Sequence, residues 1–326
     1  MLIMLSPKEI VAKIFKEESD IENVMFVGCG ASMADLYPAK YFLEKNAKKL
    51  RVSLSTANEF NYDTPAALGK NTIVIVASLG GTTPESVEAT KVASKGGAHV
   101  ISVTNSEGSP LTEAAEFVIV HGFHESYAAK VAKMKNVLLL AVEILQASEK
   151  YAHYDEMISA LDKIDGLINE SVKSVAPYAK KFAQQYKDDK LIYVLSSGAT
   201  YDVAYSTASF LFMEMQWIAA PTLNSGEYFH GPFELTEKNV PYLLFMNDGP
   251  TRHLDARALT FLQRFDAKVT TIDAKDYGLA SIASENVIDY LNPMLLTGVM
   301  RVYAEELAIA RKHPLTKRRY MWKLEY

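Results

Sequence analysis

Phe26-Val-Gly-Cys-Gly-Ala-Ser32 is the stretch that indicates the fold, and it returns as Tyr193-Val-Leu-Ser-Ser-Gly-Ala-Thr200 with one residue inserted. Each copy begins with a short apolar run and ends in glycine and small polar residues. This pattern is typical of a buried strand that leads into a helix. Two more segment pairs recur at the same spacing to within one residue: 81–83 with 249–251, and 98–103 with 267–272. Three segments in register predict two copies of one fold.

Strand-like and helix-like segments alternate along the first copy. The apolar runs at 24–27, 73–77 and 100–103 have the length of buried parallel strands, and the stretch 84–95 has a helical pattern. Alternation of this kind is typical of an α/β protein. We therefore expect two doubly wound, mainly parallel sheets flanked by helices, each forming a three-layer sandwich.

The length of 326 residues exceeds the size at which a single core usually stops growing, which favours two domains. Ser6-Pro7-Lys8-Glu9 combines a capping serine, a first-turn proline and a glutamate, so it predicts the start of an N-terminal helix. The region 128–186 has a helical pattern throughout, and His313-Pro314 follows a last helix near 293–311. The predicted parts are an N-terminal helix (1–22), a first domain (23–150), a helical connection (151–189), a second domain (190–312) and a tail (313–326).

Composition excludes several classes of protein. The formal charge of −5 comes without a dense basic run in the body of the chain, so no nucleic-acid partner is predicted. Cys29 is the only cysteine, which rules out an intramolecular disulfide and fits a reducing compartment. No run of about 18 apolar residues is present, so no membrane contact is predicted. We expect a cytoplasmic protein.

Two glycine-containing loops could hold an anion, because each follows a strand and opens a helix. The first is Gly28-Cys-Gly-Ala-Ser32, and the second is Ser78-Leu-Gly-Gly-Thr-Thr83. A dinucleotide site would need a third glycine where Met33 stands and an acidic residue about 20 positions later, so NAD is not predicted. For the second loop, ordinary capping of the next helix by its hydroxyl groups remains an alternative.

Acid and base candidates lie in the second copy. Glu214 stands alone in the apolar run Leu211-Phe-Met-Glu-Met-Gln-Trp-Ile218, where desolvation would raise the pKa of its carboxyl group. His230 and Glu227 lie in the glycine-punctuated segment 224–234, where an imidazole could exchange protons near neutral pH. Structural roles for both Glu214 and His230 remain open at this point. No further residues complete a zinc-binding motif with His121 and His124, so we predict no metal.

Cys29-Gly-Ala-Ser32, Ser78 to Thr83 and Ser225-Gly-Glu-Tyr-Phe-His-Gly-Pro232 together resemble the sugar isomerase (SIS) domain family over nearly the whole chain. Glu214 precedes His230 by sixteen residues, the spacing of the base and the ring-opening histidine in glucosamine-6-phosphate synthase. Within the family, the segments 212–218, 225–232 and 313–326 look most like the fructosamine-6-phosphate deglycases.

The resemblance implies hydrolysis of a 6-phosphofructosyl amino acid to glucose 6-phosphate and the free amino acid, without cofactor or metal. It implies Glu214 as base and His230 as acid, in a homodimer or higher homo-oligomer. The substrate's phosphate would be held by four hydroxyl groups, and three more residues would line the site: Ser32, Ser78, Thr82 and Thr83, then Gly30, Glu227 and Tyr320.

This chain departs from the family pattern at two positions. Gly80 replaces the second serine of the usual Ser-x-Ser-Gly-x-Thr phosphate loop, so one phosphate contact must come from elsewhere. Tyr320 stands where the synthase has a lysine near its end. Alternative functions are an aldose–ketose isomerase, an aminating synthase and a non-catalytic sugar-phosphate sensor. The released amino acid does not follow from the sequence.

Overall fold

The computed structural model describes residues 5–325. The chain divides into two compact units, Met1–Asp162 and Lys163–Tyr326. Each unit contains one parallel sheet with helices around it. The predicted α/β class with parallel sheets is therefore confirmed.

The first unit contains a five-stranded parallel sheet in the order β2-β1-β3-β4-β5. Its strands are β1 (Asn23–Gly28), β2 (Arg51–Thr56), β3 (Thr72–Ala77), β4 (His99–Thr104) and β5 (Phe117–Val120). The three apolar runs of the sequence lie in β1, β3 and β4. Every residue of β1 and β3 is buried, as expected for central strands covered on both faces.

The helices around this sheet are α1 (Pro7–Glu17), α2 (Ala31–Ala34), α3 (Tyr37–Asn46), α4 (Ala57–Tyr62), α5 (Pro84–Lys95), α6 (Pro110–Glu113), α7 (Tyr127–Lys130) and α8 (Ala132–Glu149). Met25, Val27, Val74 and Val76 pack with Phe60 of α4, in a cluster that α5 also joins. This cluster is the core on one face of the sheet.

The first helix forms as its sequence predicts. Ser6 Oγ accepts a hydrogen bond from the backbone N–H of Glu9, and the Glu9 carboxylate accepts one from the N–H of Ser6. This reciprocal capping box, followed by Pro7 at the first helical position, satisfies N–H groups that would otherwise lack partners.

The region 128–186 is not one continuous helix. It contains parts of α7, then α8, and then α9 (Tyr154–Tyr186). Lys150 ends α8 in a left-handed conformation (φ 65°), which a helix cannot continue through. Pro177 lies inside α9.

The second unit contains a four-stranded parallel sheet in the order β7-β6-β8-β9. Its strands are β6 (Tyr193–Ser196), β7 (Thr222–Asn224), β8 (Pro241–Met246) and β9 (Lys268–Asp273). The helices that follow α9 are α10 (Tyr201–Ser206), α11 (Arg252–Arg264) and α12 (Asn292–Ala310). Short 3₁₀ turns cover Gly198–Thr200, Pro232–Leu235, Ala274–Tyr277, Leu279–Ser281 and Ile288–Leu291.

Between residues 5 and 325, no helix combines the length and the apolar character needed to cross a membrane.

Candidate active site

The two anion-binding loops predicted from the sequence lie side by side in the first unit. One follows β1 and the other follows β3, and these strands are neighbours with Gly28 paired to Ala77. The chain leaves β1 for β2 on one side and returns to β3 on the other. This is the switch point at which open parallel sheets usually bind ligands, outside the carboxyl ends of the strands.

Hydroxyl groups meet inside the second loop. Ser78 is buried, and its Oγ lies 3.0 Å from Oγ1 of Thr83, whereas Thr82 is exposed. Thr83 is the N-cap residue of α5, yet its side chain makes no capping hydrogen bond. Thr83 therefore does not have the capping role that remained open from the sequence.

Glycine shapes this loop at one position. Gly81 has a φ of 65°, and a Cβ placed there would lie 2.0 Å from the hydroxyl oxygen of Ser109. Any larger residue would therefore clash and would also be strained in its backbone. Gly81 therefore allows the loop to turn tightly before α5 begins.

The first loop carries Ser32 in α2, after Gly30, which has a positive φ of 56°. Lys133 of α8 donates a hydrogen bond from Nζ to Ser32 Oγ at 2.8 Å. The same ammonium group donates to Asp35 Oδ2 at 3.1 Å. Because Lys133 is 4% exposed, a buried positive charge lies against this loop.

Glu214 lies at the end of a π-helical segment in the second unit, Thr207–Glu214. Such wide turns are rare and occur frequently at functional sites. Arg318 of the tail donates a hydrogen bond from Nη2 to Glu214 Oε1 at 2.7 Å. Burial raises the pKa of Glu214, and the positive charge of Arg318 acts in the opposite direction.

The Glu214 carboxyl group lines a cavity of about 690 Å³. This volume is within the usual range for small-molecule sites. Tail residues form much of the wall, among them Tyr320, which the family resemblance had suggested for the site. Arg319 stacks on the ring of Trp217, with 4.3 Å between the guanidinium carbon and the ring centroid. The tail therefore forms part of the Glu214 cavity.

His230 lies in the loop after β7. The backbone turns twice there, with the N–H of Glu227 bonded to Asn224 and the N–H of His230 bonded to Glu227. The side chains of Glu227 and His230 are exposed, and neither makes a hydrogen bond within residues 5–325. Neither residue lines the cavity around Glu214.

One group of possible metal ligands is found in the described part of the chain, namely Glu17, His99 and Glu116. Glu17 and Glu116 are exposed, and His99 Nδ1 lies 3.1 Å from Glu116 Oε2. None of the three is a predicted site residue, and exposed acidic groups of this kind are common without a metal.

Lys133 and Arg318 contact predicted site residues but were missed from the sequence. Lys133 is 101 positions away from Ser32, so its contact depends on the tertiary fold. The sequence nevertheless contained a signal of burial. Lys133 lies on the helix face that is marked by the apolar, buried residues Met134, Val137 and Leu140. Arg318 lies in the basic cluster 317–319 of the predicted tail, and nothing in the sequence of that cluster indicates which cation contacts Glu214.

The model of the SIS domain matches residues 19–143 of the chain. Among curated proteins, the chain is 39% identical to "Fructosamine deglycase FrlB" of Bacillus subtilis strain 168, over 94% of this chain and 93% of that protein. It is 26% identical to "Fructoselysine 6-phosphate deglycase" of Escherichia coli K12, over 92% of this chain and 86% of that protein.

Among solved structures, a candidate phosphosugar isomerase from Salmonella typhimurium LT2 superimposes with a TM-score of 0.95 at 40% identity. The similarity covers 100% of this chain and 99% of that one. Both the sequence and the fold are therefore similar to these proteins along nearly the whole chain.

Proposed function

Since the chain belongs to the SIS domain family, with fructosamine deglycases among its relatives, we propose that it deglycates a 6-phosphofructosyl amino acid. Water cleaves this substrate to glucose 6-phosphate and the free amino acid. The observation that carries the proposal is the Glu214 carboxyl group, which is partly desolvated in a cavity of small-molecule size. A desolvated carboxylate is a stronger base than one in water.

Glu214 begins the reaction by removing a proton from C1 of the ketoamine, which gives an enaminol. Arg318 donates to Oε1, and Oε2 has no hydrogen bond within residues 5–325. Oε2 is therefore the oxygen that takes the proton. Protonation at C2 gives an aldimine, and addition of water at C1 releases the amine. Each proton transfer needs a positioned group, and no metal or organic cofactor enters these steps.

His230 is the proposed acid, which gives a proton to the substrate oxygen. Its loop position and its exposed imidazole leave the ring accessible for proton exchange with a ligand or with water. Glu227, one turn of backbone before His230 in the same loop, is proposed to contact the substrate.

We propose that Ser32, Ser78, Thr82 and Thr83 hold the phosphate, with the backbone of Gly30 facing it. The buried hydroxyl of Ser78 and its partner Thr83 support this assignment, because their contact leaves further acceptor and donor capacity at the loop. Exposed Thr82 is free to turn toward a ligand.

We also propose that the chain is two tandem SIS domains, 23–150 and 190–312, each a three-layer sandwich. The order β2-β1-β3-β4 in one sheet and β7-β6-β8-β9 in the other supports this, because the connections match strand for strand. Gly198 has a φ of 59°, close to that of Gly30 at the corresponding loop.

A buried carboxylate side chain contacts the corresponding loops of the second unit. Asp255 is 0% exposed and accepts a hydrogen bond from Asn247, which also donates to Thr251. Burial raises the pKa of Asp255 to about 6. A phosphate placed beside this carboxylate would be repelled, which supports the first unit as the phosphate site.

A panel assay tests the function. The protein is incubated with 6-phosphofructosyl derivatives of aspartate, asparagine, lysine and α-glycated neutral amino acids, and glucose 6-phosphate is measured. Release from at least one member, equal in amount to the free amino acid, is the expected result. Absence of product from every member would falsify the deglycase proposal.

An aldose–ketose isomerase is the second candidate, because the same proton removal from C1 gives an enediol with a simple ketose phosphate. The candidate phosphosugar isomerase from Salmonella typhimurium LT2 supports keeping it. Fructose 6-phosphate in the same assay distinguishes the two, since an isomerase forms glucose 6-phosphate from it and a deglycase does not.

A further inference from the structure

We propose that Lys133 binds the phosphate group of the substrate, as the cationic member of the site formed with Ser32, Ser78 and Thr83. The inference rests on the proposed function, because it adds a residue to the same site. Lys133 already touches that site through its hydrogen bond to Ser32 Oγ at 2.8 Å. A phosphate held by the Ser32 hydroxyl therefore lies within reach of the ammonium group.

The burial of Lys133 needs a physical explanation. Lysine is rarely this buried, because removing an ammonium group from water costs free energy that partners must offset. Asp35 offers one carboxylate oxygen at 3.1 Å, and its side chain is 19% exposed. Ser32 and Asp35 take two of the three N–H donors, and within residues 5–325 the third has no acceptor. A phosphate supplies both an acceptor and a further negative charge.

A purely structural role explains the position of Lys133 less well. Lys133 is the second residue of α8, an 18-residue helix, and lies at the end where the helix dipole disfavours a cation. A neutral donor such as glutamine could join α8 to Ser32 without this electrostatic cost. A bound anion accounts for a cation at this end.

The loop after β3 lacks a contact that Lys133 can provide. Gly80 stands where the family's loop has a second serine, so one hydroxyl donor is missing. Space does not require glycine there, because a Cβ on Gly80 would meet only Thr82 Oγ1, at an ordinary 3.6 Å. The loop of this chain thus has one neutral donor fewer than the family's loop, and the buried Lys133 ammonium group lies at the same site.

His121 does not compete with Lys133 for this role. It is 5% exposed, and its Nδ1 donates to the carbonyl oxygen of Gly122 at 2.7 Å. Burial lowers the pKa of His121, and the charge of Lys133 lowers it further. Both influences favour the neutral ring, so the cation that contacts the loop is the Lys133 ammonium group.

Ligand binding tests the proposal without relying on turnover. Calorimetry measures the affinity of the wild type, Lys133→Met and a control, Lys40→Met, for glucose 6-phosphate and for inorganic phosphate. Methionine keeps most of the side-chain length but removes the charge. The control removes a lysine in the Lys40–Glu44 ion pair, which is 2.8 Å long and makes no contact with the loops.

We expect Lys133→Met to bind both ligands about 10- to 100-fold more weakly, the range for loss of a charge-assisted hydrogen bond. The control should bind like the wild type.

A second variant separates binding from structure. Lys133→Met leaves Asp35 without its partner and can lower the melting temperature, whereas Asp35→Asn in the same chain removes that unpaired charge. If Lys133 binds phosphate, the double variant regains thermal stability but stays weak in binding. If the double variant regains affinity as well, Lys133 is only a structural tie and the proposal is wrong.

The outcomes also separate this proposal from the proposed function. Wild-type affinity in Lys133→Met contradicts the phosphate contact, whatever the panel assay gives. A wild type that binds neither ligand contradicts the phosphate site itself. A wild type that binds glucose 6-phosphate through Lys133 yet cleaves no phosphofructosyl amino acid supports this proposal and contradicts the deglycase function.

Discussion

Two opposing influences act on the Glu214 carboxyl group. Burial in the cavity raises its pKa, and the Arg318 guanidinium beside it favours the ionised form. The Arg318 contact favours the carboxylate form, and burial leaves that form poorly hydrated. A base in this state gains more from accepting a proton than one in water, which is the property that C1 proton removal requires.

Replacing Glu214 with glutamine should remove the chemical step and little else. Glutamine keeps the size and polarity of glutamate but cannot take the C1 proton. We expect kcat to fall by about 10²- to 10⁴-fold or more, the range for one positioned acid–base group, with substrate affinity and melting temperature largely retained. Steady-state kinetics and a thermal melt give these values.

A matched control is Glu143→Gln. Glu143 is also buried, and it accepts a hydrogen bond from the Tyr154 hydroxyl at 2.7 Å in the first unit. This change should leave kcat near the wild-type value. His230→Asn should act like Glu214→Gln, and the two losses should be less than multiplicative because the residues work as one unit. A Glu214→Gln protein that melts early yet keeps substantial specific activity would return this residue to a structural role.

The pH dependence of catalysis should report the Arg318 contact. Glu214 acts as a base only when ionised, so kcat/KM falls as the pH drops below its pKa. Arg318 lowers that pKa more than the charge of Arg301 does, and Arg318→Met removes this larger of the two lowering influences. The acid limb of the kcat/KM profile should therefore move to higher pH in Arg318→Met. Arg319→Met, which removes a cation that stacks on Trp217, should keep the wild-type limb. An unchanged limb in both variants would show that Glu214 is not the titrating base.

The loops after β1 and β3 combine local and long-range determinants. Their strands could be predicted because 24–27 and 73–77 are apolar throughout, and the capping residues Ser6 and Glu9 likewise fixed the start of α1.

The π-helical segment ending at Glu214 could not be predicted. Its apolar pattern is compatible with an ordinary helix, and the wider turn becomes visible only with the backbone in place.

The loop after β3 should contribute binding more than rate. Ser78 and Thr83 would hold a phosphate that is far from C1 and is bound about equally in the ground and transition states. Ser78→Ala and Thr83→Ala are therefore expected to raise KM while changing kcat little, as steady-state kinetics can measure.

Glu116→Gln offers a control for this loop, because Glu116 pairs with His99 in the same unit and is not a proposed site residue. KM should stay at the wild-type value in this variant. If Ser78→Ala and Thr83→Ala kept normal substrate affinity and lost only turnover, the phosphate assignment of the loop would be wrong.

At the scale of the whole molecule, the internal repeat predicted the two sheets but not the difference between their loops. Gly30 and Gly198 both have a positive φ, 56° and 59°, so both positions favour glycine. The buried charged residues near these loops differ. Lys133 donates to Ser32 in the first unit, and Asp255 accepts from Asn247 in the second unit. The Lys133 contact joins residues 101 positions apart, whereas Asp255 lies only eight positions after its partner Asn247. We propose that the opposite charges direct an anion to the first unit.

The last prediction is that the protein works as a homodimer or a larger homo-oligomer. Three apolar residues of the tail are exposed in the single chain, namely Tyr320 (60%), Trp322 (78%) and Leu324 (61%). Apolar groups clustered in one segment favour burial against another surface, and a second copy of the chain could provide it. Sedimentation velocity at micromolar concentration should give at least twice the monomer mass. Trp322→Ser removes the most exposed of the three without changing the residues that line the Glu214 cavity, so it should weaken association. Tyr62→Ser, which removes a 91% exposed aromatic residue from the first unit, is the control and should associate like the wild type. A wild-type monomer with full activity at the same concentration would contradict the prediction, because the active unit would then be a single chain.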